Sequence, residues 1–513
     1  MGYLIPLNAL DLVDAVRHVL LAVIVGWFAI QLVPRFITNH KRFKIPRVGK
    51  NPVVSGLRNA RTDFTKNGRN LTQEGYKLYK DSMYFIQTGD MERLVVSTRF
   101  VDELRKLPDS YLDSRTAVVE RNLGWYNGVD ILLKSTTHVD VCRTKLVQNL
   151  DKITDGQVKD LDYIFHHELN ACFLDSGFQF HNAAETILNI VNRVVAKSLV
   201  GSSLSRDDTW LQTSLESTVN TGMLCRQLQP YPAFLRPFIY AFTATRQKLK
   251  YNLDVAQDLL SPIIMGRQRY EQNTDILQWL MDLYEDPDLS QSAPFLTKQI
   301  LFLSTAATRS TASSIVNTLF DLLTYPQCQE PLRKEIGESV ANAGGWSLAS
   351  VQNMKRLDSF IKESQRLNHH VLLNFNRKVR RPITLSNGVT VPAGTFLSTP
   401  GFWAARDPEF FPNGEDFLPW RWFELREEAE QQGKTPTPYL ASSTSPHNLH
   451  WGYGRNACPG RFMAAAELKL LLAWILWHFD ICFPQGQSQR PESIFLDERV
   501  LPDPKQQIGF RVR

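Results

Sequence analysis

A mainly α-helical protein with small β-sheets is the fold class this chain predicts, and three observations carry that prediction. Apolar residues recur at helical spacing over Asn182–Leu199, Pro294–Leu323 and Phe462–Trp477. Strand patterns are few and short: Val95-Val96 with Phe100, and the stretch Ile383–Pro392, in which Asn387-Gly388 marks a hairpin turn. Hydrophobic residues make up 43% of 513, enough for a substantial core, and no internal repeat or low-complexity tract interrupts them.

In chain order, residues 1–18 form a short segment expected on the lumenal side of a membrane. Residues 19–33, from Val19 to Val33, are almost unbroken in their apolar character and are expected to be a transmembrane anchor. Asp11 and Asp14 precede this run; Arg35, Lys41, Arg42, Lys44 and Arg47 come after it, so the C-terminal side is cytoplasmic by the positive-inside rule. The run is shorter than the roughly 20 residues that cross a bilayer comfortably. Ala15 to His18 must therefore contribute, with Arg17 reaching toward the interface. A cleaved signal peptide is the competing reading, but the N-terminus has neither a basic cluster nor a small-residue cleavage site.

Residues 34–52 read as a basic hinge stiffened by Pro46 and Pro52, and residues 53–513 as the main cytosolic domain. Asn70-Leu71-Thr72 matches a glycosylation acceptor that should stay unmodified on that side. Glu424–Pro438, rich in charge and Gln, reads as a surface loop. The net charge of +6, from 58 basic and 52 acidic residues, is too small and dispersed to indicate nucleic-acid binding. Cys142, Cys172, Cys225, Cys328, Cys458 and Cys482 show no paired spacing, which indicates neither a disulfide framework nor a zinc ribbon and suits a reducing compartment.

One cysteine stands apart. Cys458 lies in Trp451-Gly452-Tyr453-Gly454-Arg455-Asn456-Ala457-Cys458-Pro459-Gly460-Arg461-Phe462, a glycine-rich loop running into an apolar helix. N–H donors and a helix N-terminus can hold a thiolate charge there, and Gly454 and Gly460 would let backbone approach a flat macrocycle. Such a thiolate suits haem iron. A zinc site using His447 and His450 lacks a second close cysteine and leaves the glycines unexplained; a buried structural cysteine is the other alternative.

This segment closely resembles the haem-binding signature of the cytochrome P450 superfamily, Phe-x-x-Gly-x-Arg-x-Cys-x-Gly, in the Ala-Cys-Pro-Gly-Arg-Phe form of fungal members. Trp451 replaces the usual Phe, and Asn456 stands where a basic residue often meets a haem propionate, a role Arg455 could take over. The resemblance extends from the anchor to the C-terminus and implies the family's fold, with haem b between a long distal helix and the cysteine loop and Cys458 as axial iron ligand. Glu363-Ser364-Gln365-Arg366 is similar to the family's Glu-x-x-Arg helix, whose spacing puts carboxylate and guanidinium on one face. With Arg421 from Phe417-Leu418-Pro419-Trp420-Arg421, it implies a buried structural network. His138–Leu146 resembles the propionate-binding helix, with Val139 where Trp is typical; this implies Arg143 as propionate partner and His138 as a second.

Ser304–Thr311 aligns with the family's Ala-Gly-x-Asp/Glu-Thr-Thr. Arg309 and Ser310, followed by Thr311, stand where an acid and an alcohol manage proton delivery. A guanidinium stays protonated, so Arg309 cannot shuttle protons, whereas Ser310 retains a hydroxyl. The alternative is that Ser310 back-bonds to a helix carbonyl and Arg309 pairs at the surface. Segments 125–133, 223–235, 303–307 and 371–375 and the turn near Leu501-Pro502 are the expected pocket walls, mostly apolar and aromatic-bearing.

The resemblance implies a membrane-anchored monooxygenase of the endoplasmic reticulum. It would oxidise a small but bulky apolar substrate, a terpenoid or meroterpenoid of fungal secondary metabolism, with electrons from NADPH through cytochrome P450 reductase and cytochrome b5 as an optional second donor. A reductase-independent haem-thiolate isomerase or dehydratase, motivated by Arg309-Ser310, is the second class. A non-catalytic haem-binding protein is the third.

Overall fold

The computed structural model describes residues 45–284 and 286–513. The chain divides into Met1–Arg47 and Val48–Arg513. The expected lumenal segment and anchor lie outside the described residues, and the elements named below belong to the second unit. Among the described residues, no helix is long and apolar enough to cross a membrane.

Helices build most of this unit. The longest among the described residues, Ala293–Thr324, places Pro294 in its first turn, where a missing N–H costs nothing, and ends just before Pro326. Its 32 residues span about 48 Å. Ala183–Val200 starts at Asn182, whose side chain accepts the Glu185 N–H at 2.9 Å. Arg461–His478 is apolar on nearly every face because it is surrounded: Leu468, Leu471, Leu472 and Ile475 are all inaccessible or nearly so. These helices and Leu150–Glu168 share one core containing Phe165, Val191, Ile315, Leu319, Leu471 and Phe479.

A small mixed sheet lies apart from that core. The antiparallel pair Met83–Gln87 and Glu92–Val96 is followed by Phe396–Thr399, Asn374–Val379 and Leu112–Asp113, with Leu94 opposite Leu397 in a parallel pairing. Phe100 falls in a 3-10 turn, Thr98–Phe100, rather than in the strand, because the Ser97 hydroxyl accepts the Arg99 N–H and turns the chain. The Asn387-Gly388 hairpin forms as expected between Ile383–Thr384 and Thr390–Val391, with Gly388 at φ 82°. A second hairpin, Ile494–Leu496 with Arg499–Leu501, carries Asp497 and Glu498 at its tip.

The stretch expected as a loop is largely helical: Arg421–Gln431. Its Glu, Gln and Arg residues are good helix formers, and tertiary contacts hold them. The Ser359 hydroxyl accepts the Trp422 and Phe423 N–H groups at 3.2 and 3.0 Å, and Lys355 pairs with Glu427 and Glu430.

Behind the site, a fully buried carboxylate ties several elements together. Glu363, on helix Lys355–Leu367, accepts both Arg366 Nε (3.0 Å) and Nη2 (2.7 Å), Arg421 Nε (3.0 Å), the Trp422 indole N–H (2.9 Å) and the Leu418 N–H (3.1 Å). Arg366 donates further to the carbonyls of Ala405, Gly414 and Asp416. Both Glu363 and Arg366 have no solvent exposure. Every polar atom of this pair has a partner, which is the condition under which a buried charge pair is tolerated.

Removing one member leaves the others buried and unpaired. Glu363→Ala is expected to cost about 3–5 kcal/mol of stability, visible as a lower urea midpoint and a falling yield of folded protein.

Imidazoles packed inside the protein shape acid stability. Burial lowers His138 and His370 to about 4 and His369 to about 3. Between the usual imidazole value near 6.5 and these values, the unfolded chain binds protons that the folded chain refuses, so stability falls as pH falls through this window. His369→Gln should flatten the slope of unfolding free energy between pH 6 and 5 by up to about 1.4 kcal/mol per pH unit, as read by urea titrations at each pH.

Candidate functional site

The cysteine loop is a closed, braced turn. The Cys458 N–H donates to the Trp451 carbonyl at 2.8 Å, and the Gly452 N–H to that of Leu449 at 2.9 Å. The Trp451 indole donates to the Ala441 carbonyl at 2.8 Å, fixing the start of the loop. Gly454 adopts φ 72°, and a Cβ there would lie 2.9 Å from that of Arg105, so only glycine fits. Gly460 differs from expectation: its φ of −88° is open to any residue. A Cβ there would meet no protein atom within 4 Å, so glycine is not required by contact with the protein.

Cys458 sits just before helix Arg461–His478. Burial pushes its thiol up, while the Gly460 and Arg461 N–H groups and the Arg461 charge favour the thiolate. Burial dominates in the protein alone, so a bound cation is what would hold this sulfur ionised. The helix Thr137–Arg143 reaches toward both this loop and the long helix. Burial, reinforced by Cys458, raises the Cys142 thiol to about 12, and His138 meets Phe302 of the long helix edge-on at 5.5 Å.

Guanidinium groups gather beside the loop. Arg143 is exposed and donates to the Arg455 carbonyl. Arg455 is turned toward Asp109 at 2.9 Å and the Leu107 carbonyl, so its fork is already occupied by protein oxygens. Arg377, which sequence reasoning missed, is buried on strand Asn374–Val379. It donates to the Asn376 carbonyl at 2.9 Å and lies 4.0 Å over the Phe375 ring. Burial lowers Arg377 to about 10, with Asp109 and Asp113 pulling up and Arg455 pushing down. Arg115 adds another charge 3.9 Å from Asp109. Buried His138 has Gln299 and Phe302 beside its ring.

These residues fit haem b. The group brings iron for a half-buried sulfur at a helix start, and two propionates for a set of guanidiniums richer than its carboxylates. Cys458 would hold the iron; Arg143, Arg377 and His138 would hold the propionate edge. The signal for Arg377, an arginine shortly after the Glu-x-x-Arg helix, was present but has no distinguishing local pattern.

On the long helix the three candidate positions have different settings. The Ser310 hydroxyl donates to the Ala306 carbonyl at 3.0 Å, Thr311 is buried, and Arg309 is exposed beside the helix. Thr305 shares a 2.9 Å hydrogen bond with Thr218, and buried Thr308 has a hydroxyl without a partner. Small side chains at Ala306 and Ala307 leave room along this helix.

Two cavities border the region. One, of about 1100 Å³, is walled by segments including Arg121-Asn122, Cys225-Arg226, Val371 and Leu496–Arg499; the other, about 450 Å³, by Trp125–Asp130, Tyr240, Phe302 and Thr305. Four of the expected wall segments thus contribute. The C-terminal wall is the hairpin tip at Leu496–Arg499 rather than Leu501-Pro502, because the hairpin turns earlier than the proline suggests. The larger cavity is also more charged than expected.

The Cytochrome P450 family model matches residues 122–510. The chain is 32% identical to the cytochrome P450 monooxygenase AN1598 of Emericella nidulans, over 100% of this chain and 96% of that protein. It is 32% identical to the cytochrome P450 monooxygenase paxP of Penicillium paxilli, covering 86% and 85%, and 29% identical to the ent-kaurene oxidase of Fusarium fujikuroi, covering 99% and 95%. The solved structure of retinoic acid-bound cyanobacterial CYP120A1 superposes with a TM-score of 0.68 at 17% identity, over 92% of this chain and 100% of that one.

Cys458→Ala should abolish the absorption signature of thiolate-ligated haem, whereas Cys142→Ala should retain it. Arg377→Gln should release haem to an apo-acceptor with an affinity loss of about tenfold or more, the scale of a hydrogen bond to a charged group.

Proposed function

The chain belongs to the cytochrome P450 family and is a monooxygenase of that family; from this premise we propose that it hydroxylates a bulky terpenoid or meroterpenoid of the kind fungal secondary metabolism makes. The observation that carries this reading is the braced Cys458 loop, with its sulfur placed at a helix start beside a guanidinium-rich edge. Likeness to relatives named as an ent-kaurene oxidase and a paxP monooxygenase supports the substrate class.

Haem bound at Cys458 supplies the oxidative chemistry, using dioxygen and electrons derived from NADPH. The protein's part is to hold and shape. Gly460 and Arg461 N–H groups stabilise the ligand sulfur, while Arg143, Arg377 and His138 orient the cofactor edge. Ser310 Oγ directs its hydrogen to the Ala306 carbonyl and keeps lone pairs free to accept from a water, so protons reach the site by solvent rather than through Arg309. Tyr231, Val371 and Leu496 supply apolar wall in the larger cavity.

The proposed location is the endoplasmic-reticulum membrane, held by a single anchor at residues 19–33, with the main domain cytosolic and cytochrome P450 reductase as electron donor. An exposed apolar set supports a lipid contact: Val53 is 75% exposed, Val54 84%, Phe238 67% and Phe242 90%.

Microsomes holding this protein and a reductase, fed a terpenoid and meroterpenoid panel under heavy-isotope dioxygen, should yield product carrying one heavy oxygen, only with NADPH. Conversion without label or NADPH would instead indicate an isomerase or dehydratase.

A further inference from the structure

The larger cavity has an excess of positive charge that the protein does not neutralise. Its wall carries Arg58, Arg61, Lys66, Arg121, Arg226 and Arg499 against Asp90, Asp497 and Glu498. Those acids already have partners. Asp90 and Glu498 pair with Arg93 and Arg121, and Asp497 accepts the Gly89 N–H at 3.0 Å. Arg61 donates only to the carbonyls of Gln229 and Asp90.

Arg58 and Lys66, both on helix Leu57–Tyr79, remain, as do two further guanidiniums of this wall and one beside it. Arg226 comes from helix Asp208–Leu228 and Arg499 from the hairpin, and Arg309 reaches toward them from the long helix. They are close enough that Arg499 and Arg226, after burial, lower the Arg309 guanidinium. Among the described residues, none of the three has a hydrogen-bond or ion-pair partner. Arg309 is solvent-accessible. Arg226 and Arg499 line one cavity from two separate elements, and Arg309 stands within electrostatic range of both from a third. Gathering like charges this way is unfavourable unless an anion joins them.

We propose that the substrate is an anionic amphiphile, an apolar skeleton bearing a carboxylate or phosphate that Arg226, Arg309 and Arg499 receive. Guanidinium forks match both oxyanions in bidentate geometry. This deepens the monooxygenase reading and rests on it: fixing the head group determines which part of the skeleton is presented for oxidation. It also gives Arg309 a role at a position where a proton-carrying acid would be expected. The bulky apolar substrate expected from sequence becomes an apolar body with one charged end.

Equilibrium binding to purified full-length holoprotein in detergent, read by calorimetry, tests this. Probes are abietic acid, methyl abietate, palmitic acid, methyl palmitate and geranylgeranyl monophosphate. At least one anionic probe should bind, and an acid should bind roughly tenfold to a hundredfold tighter than its methyl ester, the range for a charge-assisted contact. Geranylgeranyl monophosphate outcompeting both acids would assign a phosphate head, and the reverse a carboxylate. The triple variant Arg226→Gln, Arg309→Gln, Arg499→Gln should bring acid and ester to near parity with ester affinity unchanged. If that variant fails to load haem, the single variant Arg499→Gln must still lower acid affinity selectively. Equal binding of acid and ester by the unaltered protein, no binding by any anionic probe, or an acid preference surviving substitution would overturn the proposal. Labelled-oxygen turnover separates the two readings: oxygenation of neutral skeletons with no acid preference leaves the monooxygenase standing, and acid binding without oxygenation does the reverse.

Discussion

The Glu363 carboxylate is the constraint on which the site depends. Five N–H groups converge on its two oxygens, from its own helix and from residues 418–422. Its helix in turn holds the segment before the cysteine loop: Asp358 accepts the Ala441 N–H at 2.8 Å, and Lys362 donates to the Leu440 carbonyl at 2.7 Å. The Trp451 indole then donates to the Ala441 carbonyl, and the Trp451 carbonyl accepts the Cys458 N–H. A continuous path of hydrogen bonds therefore runs from a buried acid to the backbone that carries the ligand sulfur. Burial lowers Lys362 to about 7, with Asp358 and Glu363 opposing the shift. That ammonium is sustained by its surroundings, and the surroundings are positioned by it.

Arginine recurs in three settings with three different outcomes. Arg366 is buried with each donor matched to protein oxygen, and its role is structural. Arg377 is buried and hydrogen-bonds to the Asn376 backbone through Nη1, which leaves donors for a cofactor edge. Arg226, Arg309 and Arg499 have no acceptor among the described residues and gather at the larger cavity and its border. The physical rule is the same throughout: a guanidinium needs oxygen around it, from protein, from water or from a ligand.

The long helices and the cysteine loop were legible because their signals are local. Helical periodicity placed Ala293–Thr324 and Arg461–His478 to within a residue at each end, since caps and prolines sit next to the apolar run they delimit. The Glu363–Arg366 spacing was equally readable. By contrast, Glu424–Pro438 looked like a loop because its sequence is polar; the helix that takes in its first half, Arg421–Gln431, is secured by Ser359 and Lys355, far away in the chain.

From sequence alone came the family, the mainly helical fold with small sheets, and the sulfur that would bind iron, because each is encoded in contiguous residues whose chemistry is self-evident at short range. Tertiary structure alone decided the electrostatics of the site. It turned Arg455 toward Asp109, placed Arg377 in its stead as a buried cation, and brought Arg226, Arg309 and Arg499 from distant positions to one region. Charge acts through space, so which cations are answered and which remain open becomes defined only when the chain has folded.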